Sequence, residues 1–137
     1  MRKAKLLDSF ALLAYFKQER SYQKVKDILA SHQEGKEDLL MNQINVGEVY
    51  YILARERSPN AAEYFLHDIL QALAIKIIPN CLSDVVEAAK IKARFPIAYA
   101  AAFAVATAIK HDATLITGDP DFKKVEHLVE IEWLRET

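Results

Sequence analysis

The chain has 137 residues, a formal net charge of −1 and 52% apolar residues, the size and make-up of one domain with a real core. Three glycines and four prolines leave little room for flexible linkers or a glycine-rich phosphate loop, and the near-neutral charge carries no nucleic-acid signature in bulk. No apolar run approaches the ~20 residues of a membrane span. The basic start Met1-Arg2-Lys3-Ala4-Lys5 is followed by too short an apolar run for a signal peptide. Cys81 is the single cysteine, which rules out an intrachain disulfide and fits a reducing cytoplasm; beside Leu82 it reads as a buried structural thiol.

In chain order, Ala4–Leu7 is a short apolar strand ending on Asp8, and Phe10–Phe16 is helical in composition. Tyr22, Val25, Ile28 and Leu29 share one helical face, with Ser21 placed to cap that helix. Asp38–Asn42 reads as a second, weaker strand. Val46–Arg57 follows as a helix with Asn45 as its cap. Ser58-Pro59, a cap followed by proline at the first helical position, opens a helix that runs to about Ala74 with Leu66, Ile69, Leu70 and Leu73 facing inward. Ile75–Ile78 is a third strand stopped by Pro79-Asn80, and Ser83 is placed to cap a helix over 84–94. Pro96 precedes an alanine-rich helix, 98–110; Ala113–Thr117 is a fourth strand, broken by Gly118-Asp119-Pro120-Asp121; the alternation over 128–133 suggests a fifth. No repeat or linker interrupts this pattern, so 1–137 reads as a single domain. Strands alternating with helices imply a mostly parallel sheet of four to five strands with helices on both faces. In such sheets, sites form outside the carboxyl ends of the strands.

Acidic residues stand where that rule points. Asp8 ends the first strand, Glu48 lies in the first turn of the helix after the second, and Asp119 and Asp121 follow the fourth. Each has an ordinary use as well. Asp8 can cap the helix at Ser9, Glu48 can complete a capping-box-like pair with Asn45, and Asp119-Pro120 can open a turn. Capping does not require all of them to gather at strand ends. Converging carboxylates repel unless neutralised, and a hard dication does this best through oxygen ligands, at about 2.0–2.1 Å for Mg²⁺. No histidine pair has zinc spacing.

Four segments together resemble the PIN-domain family, especially VapC-type toxins of toxin–antitoxin pairs. Leu6-Leu7-Asp8-Ser9-Phe10 looks like the family's first strand and first acid. Asn45-Val46-Gly47-Glu48-Val49-Tyr50 looks like its second acidic motif, Phe95-Pro96-Ile97-Ala98-Tyr99-Ala100-Ala101-Ala102-Phe103 like the segment of the third acid, and Thr117-Gly118-Asp119-Pro120-Asp121-Phe122 like the fourth. The resemblance implies a three-layer α/β/α domain in which Asp8, Glu48 and Asp119 are catalytic and bind Mg²⁺ or Mn²⁺, with Asp121, Ser9, Asn45 and Thr117 in support. It further implies metal-assisted hydrolysis of RNA by water, a homodimer, and inhibition by a cognate antitoxin. The third acid falls on Ala101, and the serine or threonine usual before it on Ala98. Alanine is the best helix former, and Ala101, Ala104 and Ala108 make a small-residue face for close packing. That explains why alanine is tolerated, but loss of a carboxylate ligand predicts weak or absent cleavage. The competing expectation is a PIN-like module that binds RNA or protein without catalysis.

Two other phosphoryl-transfer folds fit less well. A haloacid-dehalogenase type wants an aspartate where Phe10 stands, and a receiver domain wants one where the third strand meets Pro79-Asn80. Lys90, Lys92 and Arg94 cluster before Pro96 and can grip phosphates or simply form a solvated face, the commoner use of a charge run. Tyr50, Tyr51, Tyr64 and Phe65 read as core or dimer contacts, and Trp133 as a packing anchor.

Overall fold

The computed structural model describes residues 3–18 and 21–134; Met1 and Arg2 of the basic start lie outside them. Five strands, β1 (Lys3–Leu7), β2 (Glu37–Asn42), β3 (Lys76–Ile78), β4 (Thr114–Thr117) and β5 (Ile131–Trp133), form one parallel sheet in the order β3-β2-β1-β4-β5. Helices α1 (Ser9–Phe16), α2 (Tyr22–Gln33), α3 (Gln43–Glu56) and α4 (Pro59–Tyr64) come before β3, as does the short α5 (Leu70–Ala72). Helices α6 (Leu82–Arg94) and α7 (Tyr99–His111) come between β3 and β4, and a 3₁₀ helix (Pro120–Val125) follows β4.

Alternation along the strands divides the core into two layers. Leu7, Leu39, Met41 and Ile116 point to one face, where Leu12, Val25, Leu29, Val49, Leu53 and Phe65 cover them. Leu6, Leu40, Ile78 and Leu115 point to the other, under Ala88, Phe103, Ala104, Val105, Ala108 and Phe122. Successive strand residues must face opposite ways, so a sheet apolar on both faces needs a helical layer on each. The result is the three-layer α/β/α arrangement the sequence implies. Ala104 and Ala108 are buried in the second layer as expected, and Ala101 is half-buried.

Several local expectations are corrected. Helix α3 starts at the strand end, not at residue 46, because Asn42 caps it by accepting from the Ile44 N–H at 2.8 Å. Asn45 is therefore a buried residue inside the helix, and Glu48 lies in its second turn, so the two form no capping box. Ser21 stands at the start of α2 but donates its hydroxyl to the Leu134 carbonyl at 3.2 Å instead of capping. Helix α6 begins at Leu82, with Asp84 accepting from the Cys81 N–H at 2.9 Å, so Ser83 is inside the helix and not its cap. Cys81 is exposed, because the chain at this helix start faces solvent.

Ser58 does cap α4, accepting from the Ala61 N–H at 3.0 Å. The helix it opens, however, passes through a π-helical turn, Phe65–Ile69, before α5. The core-facing residues are Ala62, Phe65 and Leu70, and the five-residue step between the last two is the π turn. Leu66, Ile69 and Leu73, expected inward, are only half-buried as a consequence. Of the aromatic residues, Phe65 is core, whereas Tyr51 and Tyr64 are exposed. Trp133 is half-buried and packs on the α6–α7 side.

A buried amide node ties the β2–β3 side of the sheet to the helix packed on it. Asn42 is fully buried, and its Nδ2 donates to Asn80 Oδ1 at 2.7 Å and Thr107 Oγ1 at 2.8 Å, while Asn80 Nδ2 returns a bond to Asn42 Oδ1 at 3.0 Å. One side chain thus caps α3 and ties β2 to the segment after β3 and to α7. Removing it strands buried partners and deletes a cap. Asn42→Ala is expected to lower stability by about 2–4 kcal/mol, read from the midpoint of urea unfolding.

Candidate functional site

The sheet order makes the gap between β1 and β4 a switch point: the chain leaves β1 toward the α1–α2 layer and leaves β4 toward the layer holding Phe122 and Val125. A crevice at the carboxyl ends of these strands follows from that divergence. Asp8 sits there at 3% exposure, one oxygen accepting from the Ala11 N–H at 2.9 Å and the other from the Thr117 hydroxyl at 2.5 Å. The capping role considered from sequence is thus real, and it accounts for one oxygen only. Thr117 is fully buried, and its Oγ1 in turn accepts from the Asp119 N–H at 3.0 Å. A single hydroxyl links the first acid to the backbone of the fourth.

Asp119 is half-buried and caps the 3₁₀ helix, accepting from the Asp121 N–H at 3.0 Å. Asp121 therefore serves Asp119 through its backbone; its own carboxylate is exposed and paired with Lys124 at 3.3 Å. Lys124 also donates to the Pro96 carbonyl at 3.1 Å, pinning this turn to the segment before α7. Gly118 is required by a close approach, since a Cβ there would lie 2.4 Å from the Phe10 ring. From the other side, Ser9 Oγ donates to Glu48 Oε1 at 2.5 Å, so α1 and α3 present their acids together. Asn45, one turn before Glu48, donates from Nδ2 to the Ala100 carbonyl at 3.1 Å, and its buried Oδ1 has no hydrogen-bond partner. The Asn45 side chain thereby places the α3 acid beside the helix that carries Ala101.

Burial pushes Asp8 up from 3.8 to about 7; the bonds from Thr117 and Ala11 oppose this, and the charges of Asp119 and Glu48 add to it. The fold therefore brings three of the sequence-predicted acids into electrostatic contact. Among the described residues, no group of three or more His, Cys, Asp or Glu is set to hold a metal ion by itself. Asp8 and Glu48 are each held by a hydroxyl, and Ala101 offers no oxygen. The donor chemistry nevertheless fits a hard dication, being carboxylate oxygen throughout, and the unpaired buried amide oxygen of Asn45 lies one turn from Glu48 on α3.

Lys90 is exposed and paired with Glu87 at 3.2 Å, the solvated-face reading, and Arg94 lies over the Phe95 ring at 5.2 Å. Sequence reasoning missed Asn42, Asn80, Thr107 and Lys124. An asparagine directly after an apolar strand run was the available signal for the Asn42 cap; nothing local marks the others, whose partners are distant in sequence.

The PIN domain description matches residues 5–128, and the chain belongs to that family. Comparison with curated proteins finds no match. Among solved structures, the chain is similar to VapBC2 from Rickettsia felis bound to a DNA fragment from their promoter, with a TM-score of 0.72 and 17% identity over 94% of this chain and 97% of that one. It is similar to FitAcB from Neisseria gonorrhoeae at 0.70 and 22% identity over 94% and 96%. A toxin–antitoxin complex from Klebsiella pneumoniae matches at 0.68 and 18% identity over 97% and 99%. At such identities the likeness is one of fold.

A carboxyl whose folded-state value lies above its unfolded value favours the fold while protonated. The contribution is complete below about pH 4 and is lost as pH rises through about 7. In metal-free protein, Asp8→Asn is therefore expected to raise the melting temperature at pH 8, by an energy on the order of a few kcal/mol, and to do little at pH 4. Thermal melts in EDTA at the two pH values check this.

Proposed function

We propose that this chain is a divalent-metal-dependent endoribonuclease of toxin type that hydrolyses RNA phosphodiesters with water as nucleophile, its activity lowered by Ala101. The observation that carries this reading is the buried Asp8 with its value raised to about 7 by burial, Asp119 and Glu48. A carboxylate buried beside two others is what a bound dication relieves, and such perturbed groups cluster at functional sites. Membership of the PIN family supports the nuclease class.

Asp8, Glu48 and Asp119 would hold Mg²⁺ or Mn²⁺. When bound, such an ion supplies positive charge against the developing phosphorane-like charge and makes water a better nucleophile near neutral pH. The remaining roles belong to the protein. Ser9 holds the Glu48 carboxylate toward Asp8, and Thr117 orients Asp8 while fixing the backbone of Asp119. The Asp121 N–H orients the Asp119 carboxylate. Asp8 would have to be ionised to act as a ligand, so a bound ion would favour its deprotonated form.

The partners proposed are an RNA substrate, a cognate antitoxin and a second copy of the chain, in the cytoplasm. The antitoxin is supported by neighbours that are themselves toxin–antitoxin complexes matched along nearly their whole length. Among the described residues no helix is long and apolar enough to cross a membrane. A second reading, a PIN domain that binds RNA or protein without cutting, is favoured by Ala101 alone.

The two readings separate on Ala101→Asp. The substitution is expected to raise Mg²⁺-dependent cleavage of mixed RNAs at least ~10–100-fold, the usual scale for restoring even a supporting group at a metal site. EDTA should abolish the gain. A folded Ala101→Asp protein that stays inactive across varied RNAs removes position 101 from the site.

A further inference from the structure

The orphan oxygen of Asn45 is the unexplained atom of the α3–α7 seam. Asn45 is 1% exposed, and the bond from its Nδ2 to the Ala100 carbonyl settles which end of the amide is oxygen, since the opposite orientation would set two acceptors against each other. Its Oδ1 is then an acceptor shut away from bulk water with nothing donating to it, an arrangement that native interiors rarely leave uncompensated. Asn45 and Glu48 are three residues apart on α3 and lie on one helical face. Ala100 is the neighbour of Ala101, where a methyl group takes the place of a side chain that could bond or bind.

We infer that the Asn45 amide oxygen is a neutral ligand group for the divalent cation, contacting the ion or a water of its hydration shell in place of the carboxylate that Ala101 lacks. The inference rests on the metal-site reading above. An amide oxygen is a recognised ligand for hard dications and an acceptor for the polarised water around them. It adds an oxygen donor without adding to the repulsion already borne by Asp8. Donation from Nδ2 to Ala100 holds the amide rigidly, as a supporting bond does for other metal ligands.

The experiment titrates Mn²⁺ into the full chain and its variants and follows free Mn²⁺ by electron paramagnetic resonance, with near-ultraviolet circular dichroism as the check on folding. Asn45→Ala is expected to weaken Mn²⁺ binding about 10-fold, Asn45→Asp to tighten it, and Asp8→Asn to abolish it. In an Ala101→Asp background the loss from Asn45→Ala should shrink, because the carboxylate takes over the task. Unchanged Mn²⁺ affinity in Asn45→Ala, with binding lost in Asp8→Asn, overturns the inference, reduces Asn45 to the holder of a buried water and leaves the metal-site reading standing. Unchanged affinity in Asp8→Asn sinks the site itself. Should Asn45→Ala not fold, Asn45→Thr and Asn45→Asp carry the test, and an Asn45→Asp protein that binds no tighter than Asn45→Thr overturns the inference.

Discussion

One carboxylate, Asp8, is held inside the protein against its own preference for water. It stands at the end of the central strand, pressed by Asp119 and Glu48, and both its oxygens are already engaged by the chain. The surroundings are built to keep it there. Leu7 and Ile116, its neighbours along and across the sheet, are fully buried, so no local shift lets the carboxylate reach solvent without opening the core. The packing energy of two apolar layers sustains an electrostatic arrangement that would not form on a surface.

The same logic accounts for the polar contacts around it. Thr117, Ser9 and Asn45 each come from a different element and each restrains an acid or the helix beside it. The Asn42 node keeps α3 and α7 in fixed register, so that Glu48 and the Ala101 segment remain on the same side of the crevice. Within the sheet, Lys5 pairs with Glu37 at 2.8 Å and Glu132 at 2.7 Å, bracing β1 to β2 and β5. Those carboxylates share a lysine, whereas Asp8 and Glu48 are held by hydroxyls.

Much of this arrangement was legible in the sequence. Short apolar runs ending at Asp8 and before Asp119, with helical periodicity between, are enough to predict a parallel sheet and to place acids at its carboxyl edge. The reading of Ala101 as the third acidic position rests on the surrounding segment, which keeps the family's pattern. What escaped was set by tertiary context. Two asparagines three residues apart compete to start α3, and the tertiary partners Asn80 and Thr107 select Asn42. The helix after Ser58 has an acceptable apolar face in regular α geometry, and the π turn instead turns Phe65 and Leu70 into the core. Cys81 looked apolar from its neighbour Leu82, but that leucine is itself among the most exposed large residues.

The Thr117–Asp8 bond joins residues 109 positions apart. During synthesis, Asp8 and Glu48 leave the ribosome long before their partners exist, and at roughly 5–20 residues per second the interval is several seconds. A chain interrupted before β4 carries two acids with their Ala11 and Ser9 bonds, but it lacks the Thr117 hydroxyl that holds the second oxygen of Asp8. The central strand waits for its second neighbour, and the crevice closes only when the last quarter of the protein docks. On the nuclease reading proposed above, such an order of assembly would leave unfinished copies without a complete site.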